Sequence, residues 1–224
     1  MLLVKPSFKI EYIPENLYTD LELFGRNCYK SEDRITLESA TKFMDMIVND
    51  KHHYSILRHK QATVRFICSR GTSHQLVRHG LAHFLQESQR YCNYSKKNNG
   101  EIVYVIPFYL HDAIPEGVYH NESEININPP SNGARVWLSQ VLQAEESYHT
   151  LVKQGWKPER ARGILPNDAK TEVILTANLE EWRHIFKQRA DSHADESMQW
   201  LMYPLLAEFK KEMPIIFDDI NKEV

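Results

Sequence analysis

The stretch from residue 61 to residue 90 reads QATVRFICSRGTSHQLVRHGLAHFLQESQR. Over Gln61–Ser69, apolar side chains alternate with polar ones, which is the period of a β-strand. The following glycine breaks this strand, and Thr72 or Ser73 can cap a short helix that ends at Gly80. A strand followed directly by a helix predicts a sheet packed with helices.

Residues 78–90, RHGLAHFLQESQR, bring together guanidinium, imidazole, amide and hydroxyl groups with a single acid. A pocket for a phosphate and a polar base needs groups of this kind. Gln75 and Arg78 are three residues apart on the predicted helix, so that they share a face. Ser88 and Arg90 alternate in a segment expected to be extended, so that both can point to one side. We expect an anion site here that is built from side chains.

The composition limits the classes of partner. The 224 residues include 27 Lys and Arg against 30 Asp and Glu, a formal net charge of -3, which argues against a broad basic surface for nucleic-acid polymers. The glycine-rich phosphate-binding motifs G-x-G-x-x-G and G-x-x-x-x-G-K-[ST] are both absent, so that side chains have to hold any phosphate. Three cysteines without a C-x-x-C pair fit reduced thiols. Since no apolar run approaches about 20 residues, we expect a cytoplasmic protein without a membrane span.

Hydrophobic periodicity indicates further helices and strands along the chain. Helices are expected over about 35–50 and 134–154, from Asn178 onward and up to about Lys211, and strands over 102–106 and 171–176. Asn178 with Glu181, and Ser192 with Asp195, have the spacing of a capping box before the last two helices.

The predicted fold class is α+β, with a mixed or antiparallel sheet packed with helices in a single domain over residues 1–224. Residues 94–133, which are rich in Asn, Pro and Gly, are expected to form a loop-rich excursion from this domain. In the last helix, Trp200, Leu201 and Phe209 are expected to point inward.

The motif Arg78-His79-x-(x)7-Ser88-x-Arg90 resembles the Arg-His-Arg-(x)7-Ser-x-Arg signature of the flavin-dependent thymidylate synthases. The resemblance extends over most of residues 50–195. Blocks similar to family sequence follow in the same order: Ala161-Arg162-x-x-Leu165-Pro166, Thr176-x-Asn178-x-x-x-Trp182-x-His184 and Arg189-x-x-x-His193-Ala194.

The resemblance implies conversion of dUMP to dTMP with FAD as cofactor, 5,10-methylenetetrahydrofolate as carbon donor and NADPH as reductant, in a homotetramer with shared active sites. It places around dUMP the residues Gln75, Arg78, Gln86, Glu87, Ser88, Arg90, Arg162 and Arg189. It places around FAD the residues His53, Ser55, Arg78, His79, Gly80, Gln86, Asn178, Glu180 and His184. Arg189 would be the catalytic residue, polarising the uracil so that C5 reacts without covalent attack by cysteine. Without the resemblance, Arg189 is interpreted as a cation that neutralises the dipole at the C-terminal end of a helix.

Three positions depart from the family pattern. Gly80 stands where the motif has its second arginine, Arg58 where an acidic residue is common, and Glu180 where arginine is common. Gly80 leaves two alternatives open: a family member that transfers another one-carbon unit to a pyrimidine nucleotide, and a non-catalytic nucleotide- or flavin-binding protein. Binding of single-stranded nucleic acid is a third alternative, which the net charge disfavours.

The histidines of residues 52–59, and the pair His79 and His83, raise the question of a metal. No nearby carboxylate or cysteine completes a usual ligand set, so we expect no metal. Cys92 is the remaining candidate nucleophile. Nothing close to it in sequence activates the thiol, and we expect it to be an inert small apolar residue.

Overall fold

Two sheets organise residues 1–220, the part of the chain that the computed structural model describes. Their strands are β1 (Leu2–Val4), β2 (Ser7–Tyr12), β3 (Gln61–Ser69), β4 (His83–Gln86), β5 (Val103–Val105), β6 (Gly117–Val118) and β7 (Lys170–Asn178). One sheet has the order β5-β1-β6, and β1 is parallel to β5 and antiparallel to β6, so that this sheet is mixed. The other has the order β2-β3-β7-β4.

Helices of very different length accompany the sheets. They are α1 (Leu17–Tyr29), α2 (Ser39–Asp45), α3 (Arg70–Leu76), α4 (Asn132–Lys153), α5 (Pro158–Ala161), α6 (Leu179–Arg189), α7 (Glu196–Glu212) and α8 (Pro214–Phe217). A π-helical turn, Met46–Asp50, continues α2. The α+β class predicted from the sequence is confirmed. Within residues 1–220, no helix is long and apolar enough to cross a membrane.

Several predicted elements are confirmed. The strand predicted over Gln61–Ser69 is β3 with the same bounds, and its alternate residues from Ala62 to Cys68 are buried. The strand predicted over 171–176 is β7, and the helix predicted over 134–154 is α4. The helix predicted after Asn178 is α6, and the side-chain oxygen of Asn178 accepts the N–H of Glu181 at 2.9 Å. This bond satisfies a backbone donor in the first turn of the helix.

The start of α3 differs from the prediction. Ser69, the last residue of β3, accepts the N–H of Thr72 on its hydroxyl at 3.0 Å and is the N-cap. The capping role expected for Thr72 or Ser73 is therefore wrong, and Gly71 lies inside the helix. The prediction failed because it looked for the cap after the strand, whereas Ser69 both ends β3 and caps α3.

The end of α3 also differs from the prediction. The helix ends at Leu76, and the N–H of Arg78 reaches only the carbonyl of Gln75, at 3.4 Å, in a tightened turn. Two predictions are therefore wrong: Gln75 and Arg78 do not share a helical face, and Gly80 does not end a helix. The first residues of the motif lie in the turn that follows α3.

Apolar residues misled the prediction at two further places. The helix expected from residue 35 begins only at Ser39, whose hydroxyl accepts the N–H of Thr36 at 2.9 Å, and Leu37 is fully exposed. Trp200 was expected to point inward but is half exposed. It lies one residue before Leu201, and therefore about 100° around α7 from the buried face.

Contacts within the chain divide it into two units. Unit 1 comprises residues 1–7, 66–78 and 85–173, and unit 2 comprises residues 8–65, 79–84 and those from 174 onward. Buried apolar residues fill unit 1, among them Leu3, Tyr104, Leu138 and Tyr148. The predicted single domain over 1–224 includes residues 221–224, which lie outside the described residues, and it stays a prediction.

The core of unit 2 is an aromatic cluster that anchors α6. Trp182 and Phe186 of α6 pack with Phe209 of α7 and Phe217 of α8, with ring centroids 5.0 to 5.7 Å apart. All four are fully buried. The indole N–H of Trp182 donates to the carbonyl of Ala62 at 3.0 Å, so that this buried donor is satisfied. The cluster therefore fixes the helix that carries several predicted site residues.

We expect Phe186→Ala to lower the free energy of unfolding by about 3–5 kcal/mol, because it removes a buried ring and leaves a cavity. Equilibrium urea denaturation measures this value. Leu37→Ala is the control, since the exposed side chain should change it by less than about 0.5 kcal/mol. A Phe186→Ala variant as stable as the parent would contradict the anchoring role of the cluster.

Candidate active site

A cluster of four titratable or charged side chains lies in unit 2 at the motif histidine. Arg189 Nε donates a hydrogen bond to His79 Nε2 at 3.1 Å. The other ring nitrogen of His79, Nδ1, lies 3.7 Å from Glu181 Oε1. His184 stands edge-on to His79, with ring centroids 5.9 Å apart. His79 and Glu181 are buried, whereas His184 is exposed.

The geometry sets the protonation state of His79. Because Arg189 Nε can only donate, Nε2 of His79 accepts, and the ring proton of the neutral imidazole is on Nδ1, the atom that faces Glu181. Burial, followed by the positive charges of Arg189 and His184, lowers the pKa of His79 to about 4. The imidazole is therefore neutral at physiological pH and offers a fixed acceptor to the guanidinium.

Helix α6 positions three members of the cluster. Glu181 lies in its first turn, where the cap from Asn178 holds the backbone, His184 follows one turn later, and Arg189 is the last residue. Burial raises the pKa of Glu181, with a further contribution from Glu180. The helix dipole favours an acid at the start and a cation at the end. That preference alone does not account for Arg189, since its Nε is bound to His79.

Three of these residues have the composition of a metal site. Ligand atoms of His79, Glu181 and His184 lie within 4.8 Å of one another, and two imidazoles with a carboxylate can bind a transition metal. The guanidinium of Arg189, 3.1 Å from His79, places a positive charge beside them, which disfavours a divalent cation. We interpret the group as a hydrogen-bonded cluster, and the expected absence of a metal stays a prediction.

A cavity of about 360 Å³ in unit 2 brings together His53 and Ser55, two residues that the family resemblance predicts around FAD. Its walls are partly apolar, with Phe24 and Ile47 among them, and Arg58 also lines it. A concave site with apolar walls and a few polar groups suits a flat aromatic ligand.

Arg58 forms an ion pair with Glu180 at the start of α6. Arg58 Nη2 donates to Glu180 Oε1 at 3.2 Å, and Arg58 Nε donates to Oε2 of the same carboxylate. These are two of the positions that depart from the family pattern, and each carries a charge of the opposite sign to the one that is common there. Relative to the pattern that the resemblance implies, the two charges are exchanged, and the ion pair keeps one charge of each sign at these positions.

Gly80, the third departure, is not required by the backbone. A Cβ at this position would meet no heavy atom within 4 Å, and the residue is not in the left-handed region. A larger side chain therefore fits, and the loss of the arginine is not a steric requirement of the fold.

In unit 1, two predicted nucleotide residues lie beside the first residues of β7: Gln86, which ends β4, and Glu87, which follows it. Gln86 Nε2 donates to Ser73 Oγ at 2.8 Å and to Thr171 Oγ1 at 3.3 Å. Lys170 Nζ donates to Glu87 Oε2 at 2.9 Å. Both predicted side chains are thus held by a polar network.

Sequence reasoning missed the residues that complete this network. Arg70 Nη1 lies 3.4 Å both from the carbonyl oxygen of Glu87 and from Thr171 Oγ1. Arg70 directly follows β3, and Lys170 is the first residue of β7. A polar residue at the end of a confirmed strand is the signal that could have identified them.

Ser88 and Arg90 lie in a tight turn, and the expectation of an extended segment is wrong. The carbonyl of Ser88 accepts the N–H of Tyr91 at 3.2 Å and that of Cys92 at 2.9 Å, while the hydroxyl of Ser88 accepts the N–H of Arg90 at 3.3 Å. Serine bonds to nearby backbone in this way and stabilises a turn in place of a strand. The Arg90 guanidinium lies over the Tyr91 ring, 5.6 Å from its centroid.

Unit 1 also contains three arginines without a carboxylate partner among the described residues: Arg78, Arg90 and Arg162. Arg78 and Arg90 are exposed and Arg162 is half-buried. Within residues 1–220, none of their guanidinium groups forms an ion pair with a carboxylate. The assignment of these arginines, of Gln75 and of the other site residues to particular ligands stays a prediction.

Comparison with known proteins identifies the class to which this fold and cluster belong. The family model described as thymidylate synthase complementing protein matches residues 10–215. A flavin-dependent thymidylate synthase of a Mycobacterium species is 31% identical over 213 residues, which cover 90% of this chain and 79% of the relative. The chain belongs to the flavin-dependent thymidylate synthase family, as the motif predicted.

Solved structures agree on the fold. The UMP/dUMP methylase PolB from Streptomyces cacaoi, bound with 5-Br dUMP, is similar with a TM-score of 0.73 at 18% identity, covering 97% of this chain and 96% of the other. Thymidylate synthase X from Helicobacter pylori, with FAD and dUMP, is similar with a TM-score of 0.71 at 18% identity, covering 97% and 100%.

We expect His79 to titrate with a pKa of about 4 and to carry its proton on Nδ1 at pH 7. Nitrogen-15 NMR of the histidine rings measures both properties. Arg189→Met should raise this pKa toward the ordinary value, because it removes a positive charge that opposes protonation. Lys187→Met, at an exposed position of α6, is the matched control. A His79 pKa near 6.5 in the parent protein would contradict the effect of burial and of Arg189, and a ring proton on Nε2 at pH 7 would rule out the acceptor role.

Proposed function

We propose that the protein catalyses the reductive methylation of dUMP to dTMP, with FAD as cofactor, 5,10-methylenetetrahydrofolate as carbon donor and NADPH as reductant. The observation that carries the proposal is the Arg189 guanidinium held on the neutral His79, in a chain that belongs to the flavin-dependent thymidylate synthase family. A fixed guanidinium stabilises negative charge that develops on a bound uracil during reaction, without reorganising at that moment.

The proposed residues around dUMP are those of the motif and its neighbours. They are Gln75, Arg78, Gln86, Glu87, Ser88, Arg90, Arg162 and Arg189. The three arginines of unit 1 that lack carboxylate partners suit the phosphate, since a guanidinium binds it through two parallel charged hydrogen bonds. Arg189 is the proposed catalytic residue.

The proposed residues around FAD are His53, Ser55, Arg78, His79, Gly80, Gln86, Asn178, Glu180 and His184. A bound flavin supplies hydride chemistry that no side chain supplies. The cavity lined by His53 and Ser55 is supporting evidence, because its apolar walls fit a flat ring system. Glu180 is compatible with an anionic cofactor because Arg58 neutralises its charge.

No cysteine nucleophile is part of the proposal. Burial raises the pKa of the Cys68 thiol to about 12, so that it remains protonated. Cys92 is partly buried against the core of unit 1, and its N–H is bound to Ser88. Activation of the uracil by Arg189 needs no covalent bond to the protein. We further propose a cytoplasmic homotetramer in which each active site draws residues from several subunits.

The direct test is spectroscopic and chemical. Purified protein should show flavin absorbance bands with about one FAD per subunit. It should convert dUMP to a product in which one methyl group replaces a hydrogen, and only with the folate and NADPH present. Protein without flavin, or flavin-containing protein without product, would overturn the proposal. A hydroxymethylated product would instead identify transfer of a different one-carbon unit.

A second candidate substrate is UMP. Gly80 removes a cation that the family motif places in this turn, and the similar fold of a UMP/dUMP methylase motivates the comparison. Parallel assays with UMP and dUMP decide between them. A larger kcat/KM for UMP would replace dUMP as the assigned substrate.

We expect Arg189→Ala to lower kcat by about 10²–10³-fold while FAD content is retained, because the fixed cation acts mainly on charge that develops in the transition state. Steady-state kinetics and the flavin spectrum measure the two quantities. The matched control is Gln188→Ala, an exposed neighbour on the same helix. Full activity of Arg189→Ala would remove this residue from the catalytic role.

The pair formed by Arg58 and Glu180 allows a test of compensation. Arg58→Glu or Glu180→Arg alone places two like charges together and should weaken FAD binding about fivefold, whereas the double exchange should restore it. Fluorescence titration of the flavin-free protein measures the dissociation constants. Additive losses in the double variant would show that the two positions act independently.

A further inference from the structure

A second cavity in unit 2 is lined mainly by cations. It has a volume of about 670 Å³ and lies between the end of α1, the following turn and α2. Its charged lining residues are Arg26, Lys30, Arg34, Lys42 and Lys51, with Asp33 as the one acid among them. The lining therefore has a formal charge of +4, in a chain whose total is -3. We call it the basic cavity.

Few acids of the protein neutralise these cations. Arg26 is paired with the buried Glu22 at 2.7 Å. Lys51 lies over the ring of Tyr29, with Nζ 5.2 Å from its centroid, and not against an acid. Within residues 1–220, Arg34 and Lys42 form no ion pair with a carboxylate. Like charges that line one concavity focus a positive potential, which attracts anions.

The basic cavity adjoins the cavity proposed for the flavin. Tyr29 lines both. Its hydroxyl lies 3.4 Å from Nδ1 of His53, which lines the flavin cavity only. A ligand whose ring system binds near the flavin can thus extend an anionic tail past Tyr29 into the basic cavity.

We propose that the basic cavity binds the polyanionic tail of a co-substrate, and this inference rests on the proposed function. Its cations are on long side chains distributed over α1, the turn and α2, which suits a flexible chain of several negative groups. Two co-substrates of the proposed reaction have such a tail. The folate can carry a chain of γ-linked glutamates, and NADPH carries a pyrophosphate and a further phosphate.

Charge reversal in the cavity tests this proposal. The variants are Arg34→Glu, Lys42→Glu and the double variant with both changes. The matched control is Lys211→Glu, at an exposed position near the end of α7. Steady-state kinetics compare the pentaglutamyl folate with the monoglutamyl folate, and NADPH with NADH. Isothermal titration calorimetry with pentaglutamyl folate and with NADP⁺ gives binding constants without turnover.

If the tail belongs to the folate, the double variant should raise KM for the pentaglutamate about tenfold and leave that for the monoglutamate unchanged. If it belongs to NADPH, the same rise should appear for NADPH, and it should be smaller for NADH, which keeps the pyrophosphate but lacks the further phosphate. Added salt should reduce either difference, because exposed charges are screened.

Two outcomes overturn the proposal. One is an unchanged KM in all four arms, which would leave the cavity without a role in co-substrate binding. The other is loss of FAD from the double variant, which would assign the cations to the flavin. Failure of the proposed function is distinct, since the unmodified protein would then form no dTMP with any of these co-substrates.

Discussion

The hydrogen bond from Arg189 to His79 requires a histidine that stays neutral, and this requirement constrains much of unit 2. The imidazole has to be buried, because solvent would allow it to take up a proton and turn the acceptor into a donor. Glu181 Oε1 lies 3.7 Å from the opposite nitrogen, where it favours the tautomer with the proton on Nδ1, and the cap that Asn178 provides for α6 holds the backbone of Glu181 in place.

The same bond also limits how far α6 can move. A shift by one residue would displace Arg189 by about 1.5 Å along the helix and rotate it by about 100°. The aromatic cluster around Trp182 and Phe186 prevents such a shift, since both rings are fully buried between α6 and its neighbours. Apolar packing of the same helix thus controls the direction of one guanidinium.

Much of the fold could be predicted from the sequence where a single periodicity dominates. The alternation over Gln61–Ser69 and the cap at Asn178 gave elements that the structure confirms, because burial and capping are local properties of those residues. The turns of the motif could not be predicted in this way. At Ser69 and Ser88, one side chain bonds to nearby backbone and changes the path of the chain, which hydrophobic patterns do not report. The network of Arg70 and Lys170 depends on strand ends that meet only after folding.

The ion pair of Arg58 and Glu180 has a consequence for how this sequence can change. Reversal of either charge alone places two like charges side by side, one of them on a residue that lines the cavity proposed for the flavin, so that a neutral residue at one position is the intermediate with the least repulsion. The two positions are 122 residues apart in sequence, and folding brings them into one ion pair. A hybrid of this chain with a relative of the opposite arrangement will keep the pair only if both residues come from the same parent.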